Sequence, residues 1–172
     1  MSDLPTDPTA IESTHDQEKV LSLLKKADQH YRQGHRLRAI WYYKKALNRH
    51  PESVTGLVNL GLIYSTQKRK HGKALQLLHK AYLLAPENPT LLLNLATLTS
   101  QQGEHREAMG YLLKTEKIRP DYPDLHYNKA HLLAQDNKYK EALSEINREL
   151  ELKPQNLNAL IMQKILEEKL KD

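Results

Sequence analysis

Apolar residues recur along this chain with a helical period. In "AIWYYKKALNRHP", Ala39, Ile40, Tyr43, Ala46 and Leu47 return at intervals that place them on one stripe of a helix. Three further segments fall in phase with it: "ALQLLHKAYLLAP", "AMGYLLKTEKIRP" and "ALSEINRELELKP". Each opens on alanine (Ala39, Ala74, Ala108, Ala142) and closes on proline (Pro51, Pro86, Pro120, Pro154), the prolines being 35, 34 and 34 residues apart. Upstream of each lies a second helical stretch, joined to it by a polar turn: "RQGHRL", "TQKRKHGK", "QQGEHRE" and "QDNKYKE". The pattern predicts an all-α chain built of helix pairs. A single pair is too small to bury both its faces, so neighbouring pairs must stack. Alanine at the start of the second helix lets two backbones approach closely. Proline stops that helix, because it has no N–H for the ladder and disfavours helix in the residue before it.

A 34-residue unit of two helices closed by proline resembles the tetratricopeptide repeat family. The first repeat carries Leu23, Ala27, Gly34, Ala39, Tyr43, Ala46 and Pro51 at the family's positions. The second, with Leu57, Leu60, Gly61, Tyr64, Ala74, Leu78, Ala81 and Pro86, matches best; it is one residue long, and the extra residue falls in the "KRKHGK" turn. The third has Leu92, Leu95, Ala96, Gly103, Ala108, Leu112 and Pro120. The fourth departs at its start, with His126 and Lys129 where apolar residues are usual, then Ala130, Ala142, Ile146 and Pro154. The resemblance implies an α-solenoid of four helix pairs plus a C-terminal capping helix. Its repeats would span 20–53, 54–88, 89–122 and 123–156, with a cap at 157–172 whose Leu157, Leu160, Ile161, Ile165 and Leu166 lie on one side. The domain would cover 14–172, with a helix start at Ser13 or Thr14. Residues 1–13, with Pro5 and Pro8, are expected to form a flexible acidic segment.

The resemblance also implies a site. In similar arrays the first helix of each pair lines a concave groove that holds a peptide. One groove position here reads Lys25, Asn59, Asn94 and Asn128, a run of three asparagines whose amides could bond the backbone of an extended segment whatever its sequence. Neighbouring groove positions supply Asp28, Arg32, Val58, Leu62, Leu93, Thr97, Gln101, Tyr127 and His131, an apolar strip with hydroxyl and amide edges. Chaperone-binding relatives clamp a carboxylate with basic residues where this chain has Leu24, Asp28, Asn59, Thr90 and Asn94. Only Asn59 fits, so chaperone-tail binding is not expected. The expected partner is a protein or peptide, captured by a non-enzymatic interaction scaffold.

Charge adds a second candidate surface. Lys+Arg number 26 against 21 Asp+Glu, and residues 1–19 carry five acids against Lys19 alone, so the rest of the chain is distinctly basic. The turns collect His35, Arg36 and Arg38, then Lys68, Arg69, Lys70 and Lys73, then His105 and Arg106, then Lys138 and Lys140. Such a ridge suits an acidic partner or, more weakly, an anionic membrane surface. Nucleic acid is the poorer fit, since the turns lack interleaved aromatics. Trp41 lies about 200° around its helix from Tyr43, beside Lys44, Lys45 and Asn48, and so points outward. It reads either as a side chain lying along lysine stems or under the acidic lead segment, or as a contact anchor for a partner or, together with the end helices, for a second copy of the chain.

Catalysis finds no support. There is no cysteine, and the nine histidines stand in no metal-ligand spacing. His126 and His131 lie on different helix faces, and no glycine-rich phosphate loop occurs. Glu149 and Glu151 read as ordinary surface charges. No catalytic residue, metal, cofactor or small-molecule substrate is expected. The start "MSDLPTDPTA" has neither the basic nor the apolar region of a signal peptide, and no apolar run is long enough to span a bilayer, which points to a cytoplasmic chain.

Overall fold

The structure, a computed structural model, describes residues 8–171, with side chains from Asp16 onward apart from that of Lys68. Among the described residues it is all-α: four helix pairs and a last single helix, with no strand. The pairs are α1 (Pro8–Arg32) with α2 (Arg36–Arg49), α3 (Val54–Ser65) with α4 (His71–Leu84), α5 (Pro89–Gln101) with α6 (His105–Ile118), and α7 (Leu125–Gln135) with α8 (Tyr139–Leu152); α9 (Leu157–Lys169) closes the chain. Two compact units result, Met1–Ala85 and Pro86–Asp172.

Helix ends follow local chemistry. The second helices stop at Arg49, Leu84, Ile118 and Leu152, each two residues before its proline. Beyond three of those prolines stands a capping side chain. Ser53, Asn88 and Asn156 accept from the backbone N–H groups of Gly56, Leu91 and Ala159, satisfying donors that the first helical turn leaves orphaned. The fourth repeat breaks the rule. Its Asp124 is left-handed (φ 63°) and makes no side-chain cap, so α7 starts late and the Asp124 carboxylate is free to take Lys153 Nζ at 2.7 Å. At the chain start α1 begins at Pro8, earlier than Ser13 or Thr14, because proline in the first turn forfeits no helical hydrogen bond. Residues 1–7 of the expected flexible segment lie outside the described residues.

Three of the four turns inside the pairs share one solution. Gly34, Gly103 and Asn137 all take positive φ (78°, 85° and 61°), and the N–H three residues past each helix bonds back to its last turn, as in His35 to His30 at 2.8 Å, Glu104 to Thr99 at 3.0 Å and Lys138 to Leu133 at 2.9 Å. The second repeat has no glycine there. Its extra residue is taken up by a single 3₁₀ turn, Lys68–Lys70, which leads into α4.

Packing within each unit follows the small-residue stripe. Ala39, Ala74, Ala108 and Ala142 are fully buried, as are Leu78, Leu112 and Ile146 one turn on. In the first unit a side chain added to Gly61 would meet the Leu78 side chain at 3.0 Å, closer than ordinary van der Waals contact, so α3 and α4 approach closely at this glycine. In the second unit Leu125 and Leu132 of α7 pack with Ala96 and Leu112, while Ala130 and Leu133 pack with Ala142, Ile146, Ala159 and Leu166.

Two expectations need correction. Glu149 is not a surface charge: it is 1% exposed, because it stands in the fourth repeat where the first two carry Ala46 and Ala81 on the packed stripe. Its Oε1 accepts from Asn156 Nδ2 at 3.1 Å and lies 3.5 Å from Lys153 Nζ, and hydrogen bonding to Asp124 is the main cause holding the Lys153 ammonium above its ordinary range. The cap helix also does not lay its five apolar residues on one side. It buries Ala159 and Leu166, whereas Leu157, Leu160, Ile161 and Ile165 are exposed. At about 100° per residue Leu157 lies opposite Leu166, so one neighbouring helix cannot cover both.

Candidate peptide-binding faces

In the first unit, α1, α2 and α3 enclose a pocket of about 340 Å³ lined by Asp28, Tyr31, Arg32, Tyr43, Asn59 and Leu62. Asp28 is its centre. The Asp28 Oδ1 accepts from the Tyr43 hydroxyl and from Asn59 Nδ2 at 3.1 Å. Burial, then hydrogen bonding to Asp28, raises the Tyr43 phenol well above its ordinary value, so it stays a donor. The Asn59 amide nitrogen is held between Asp28 and the Tyr43 hydroxyl. Of the groove residues expected in this unit, Asp28, Arg32, Asn59 and Leu62 come together. Val58 does not; it is buried on the core side of α3.

In the second unit, α5, α6 and α7 enclose about 240 Å³ between Thr97, Ser100, Gln101, Tyr127, Asn128, His131 and Gln135, with Leu112 at the floor. Asn128 Nδ2 donates to the Asp124 carbonyl at 2.7 Å and its Oδ1 faces Thr97 Oγ1 at 3.4 Å, while Ser100 donates to Gln135 at 3.1 Å. Thr97, Gln101, Tyr127, Asn128 and His131 thus share one pocket. Leu93 packs instead against the α5–α7 core, and Asn94 Nδ2 is buried with no protein partner among the described residues.

Sequence reading missed a larger concavity. Between α7 and α9 a mostly apolar pocket of about 430 Å³ is lined by Tyr127, His131, Ala134, Tyr139, Ile161, Met162 and Ile165. Its signal lay in α9, which carries more apolar residues than one stripe can hold.

His126 and Lys129 turn out to belong to a buried ion-pair network. Lys129 Nζ lies 3.0 Å from both Glu116 oxygens and 2.8 Å from Glu145 Oε1; His126 Nδ1 is 2.7 Å from Glu145 Oε2, and Arg148 stands 3.6 Å from Glu145. The donor atoms of Glu116, His126 and Glu145 lie within 4.8 Å of one another, close enough to ligate a metal, but the Lys129 ammonium sits among them and supplies the positive charge. Burial alone would raise the Glu145 carboxyl; hydrogen bonds from Lys129 and His126 outweigh it and hold it below its ordinary value.

Trp41 points outward, half exposed, with Lys45 Nζ 4.6 Å over its ring and its edge against Tyr42, which stacks on His30 at 5.2 Å. On the turns, Arg69 is exposed and Lys70 lies over Tyr64 at 4.9 Å, whereas the Lys68 side chain is outside the described residues. His105 is paired with Asp136 at 2.5 Å, so the turn charge of the second unit is partly neutralised.

Tetratricopeptide repeat family models match residues 24–89 and 93–156, and residues 65–117. The chain belongs to the tetratricopeptide repeat family. No curated protein sequence matches it. Solved structures of similar fold include a MamA protein, 20% identical with a TM-score of 0.75 over 90% of this chain and 84% of that one. Pseudomonas aeruginosa pilF is 19% identical with a TM-score of 0.82, over 91% and 71% of the two chains. The APC/C hetero-tetramer Cut9-Hcn1 is 17% identical with a TM-score of 0.79, over 86% of this chain and 30% of that one. At such identity the likeness carries the tetratricopeptide fold alone. That fold supports a protein–protein interaction module. Among the described residues no helix is long and apolar enough to cross a membrane.

Proposed function

We propose that this tetratricopeptide repeat protein is a non-enzymatic scaffold that captures a peptide segment of a partner on the faces of its first helices. The observation that carries the reading is the tethered amide in each unit's pocket. Asn59 is fixed by its bond to Asp28, and Asn128 by its bond to the Asp124 carbonyl and a longer one from Thr97, with apolar and hydroxyl groups beside them. A fixed amide binds a backbone without first losing rotamer freedom. Its test is a random-peptide display selection on the full chain beside an Asn59→Ala/Asn94→Ala/Asn128→Ala variant of matched stability. A shared motif that survives high salt and vanishes in the variant is expected. Acidic hits indifferent to the asparagines and removed by salt would sink the reading in favour of docking on Arg36, Arg38, Arg69 and Lys70.

A second reading, self-association, is favoured by the exposed row Leu157, Leu160, Ile161 and Ile165 on α9. One solved protein of similar fold is described as part of a hetero-tetramer. A mass that stays monomeric over a wide range of concentration would remove it.

A further inference from the structure

We infer that the first unit's pocket is a subsite for an alkyl cation, the ammonium or guanidinium of a lysine or arginine side chain carried by the bound segment. The inference rests on the peptide-capture reading and names one chemical preference within it.

Asp28 is half-buried between Tyr31, Tyr43, Asn59 and Leu62. Its two hydrogen-bond donors, the Tyr43 hydroxyl and the Asn59 amide, are both neutral. They fix the carboxylate in place without cancelling its charge. Among the described residues no cation lies within ion-pair distance of it. Arg32, one turn along α1 at the rim, is exposed and forms no ion pair with Asp28. Both donors go to Oδ1, which leaves Oδ2 with no bond from a described residue. A partly desolvated carboxylate held in one orientation is an incomplete ion pair, and a charge-assisted N–H donor completes it better than any neutral group.

The walls suit the rest of such a side chain. Leu62 and the ring of Tyr31 offer apolar and aromatic surface, against which methylenes can lie and over which a cation is attracted. The volume of about 340 Å³ corresponds to roughly ten waters, enough for a four-carbon stem and its head group. An anionic or purely apolar side chain would leave the fixed carboxylate repelled or desolvated without a partner. The second unit's pocket around Thr97 and Asn128 carries no carboxylate, so the preference belongs to the first unit's pocket.

The experiment titrates full-length protein with n-butylammonium, n-butylguanidinium and neutral n-butanol at constant ionic strength, following the Leu62 methyl and Asn59 side-chain amide signals by NMR. Saturable shifts are expected with the two cations, roughly tenfold weaker or absent with butanol and with Asp28→Asn, which keeps an acceptor for Tyr43 and Asn59. Arg32→Gln, at an exposed position, is expected to tighten the cations about two- to fivefold by removing a like charge. Equal shifts from butanol, or shifts unchanged in Asp28→Asn or weakened in Arg32→Gln, would overturn the subsite. Two further arms separate its source. A lysine or arginine enriched at one position of the displayed peptides, lost only with Asp28→Asn, supports the side-chain assignment. Spermidine binding far more tightly than butylammonium, with no such enrichment, overturns it in favour of a free polyamine. Cation binding without any asparagine-dependent motif would retire the peptide-capture reading and leave the pocket's chemistry intact.

Discussion

Lys129 occupies a position that is leucine in the two preceding repeats (Leu60, Leu95), and it is tolerated because three other positions change with it. His126 stands where Leu57 and Leu92 do, Glu145 where Leu77 and Tyr111 do, and Glu116 where Tyr82 does. Four apolar positions have been exchanged for a compensated set of charges, Lys129 being 5% exposed. Lys129→Met would strand two carboxylates, and unfolding in urea is expected to register a loss of about 3 kcal/mol. Replacing His126, Lys129 and Glu145 together by leucine is expected to recover most of it. Because Glu145 is held below its ordinary value of 4.5 when folded, its contribution is present above that pH and is lost as pH falls through the folded value. Acid sensitivity in that window should shrink in Lys129→Met; an unchanged pH profile would deny Lys129 the role of partner. Trp41 belongs to the same scale. It is the single tryptophan and is 54% exposed, so its fluorescence should be that of a wet indole, quenched freely by acrylamide. An indole shielded from quencher that opens on dilution would instead mark a contact between copies.

At the scale of elements, the turns separate two glycines of one repeat by sign. Gly103 caps α5 at φ 85°, where an L side chain is strained, and Gly103→Ala is expected to cost about 1–2 kcal/mol. Gly110 lies exposed inside α6, and a methyl added there would meet nothing within 4 Å, so Gly110→Ala is expected to gain about 0.5–1 kcal/mol. Thermal unfolding of the two variants checks both, and shifts of the same sign would contradict the left-handed cap. The α9 helix raises the other element-scale question. A helix with apolar residues on two sides needs a second cover or accepts exposed surface.

For the whole molecule, that exposed row is the feature with a global readout. If self-association runs through α9, Ile161→Asp should abolish concentration-dependent mass in sedimentation while leaving the melting temperature nearly unchanged, since Ile161 is half exposed already. A mass unaffected by Ile161→Asp would clear α9 of that role. The two compact units also differ in what acid can reach. The Glu116–His126–Lys129–Glu145 network lies wholly in the second unit and Trp41 in the first. Amide protection in α7 and α8 should therefore fall at a higher pH than protection in α2 and α3, as read by hydrogen exchange. Simultaneous loss throughout would place the acid-labile groups elsewhere.

The sequence by itself determined the helix pairs, because period, alanine and proline are local properties of the chain: the second helices end two residues before the four prolines. It also determined the outward face of Trp41, which follows from helical register alone. What only tertiary structure decided depends on which face meets a neighbour. Val58 turned to the core, Asn59 found Asp28, and Glu149 went inside because its register position is packed whatever residue fills it. The late start of α7 hung on the conformation of Asp124, and the network around Lys129 on charges that are 13 and 16 residues away in sequence but within 3.0 Å in the fold. A period reports the face of one helix; the partner of a buried charge is a property of two.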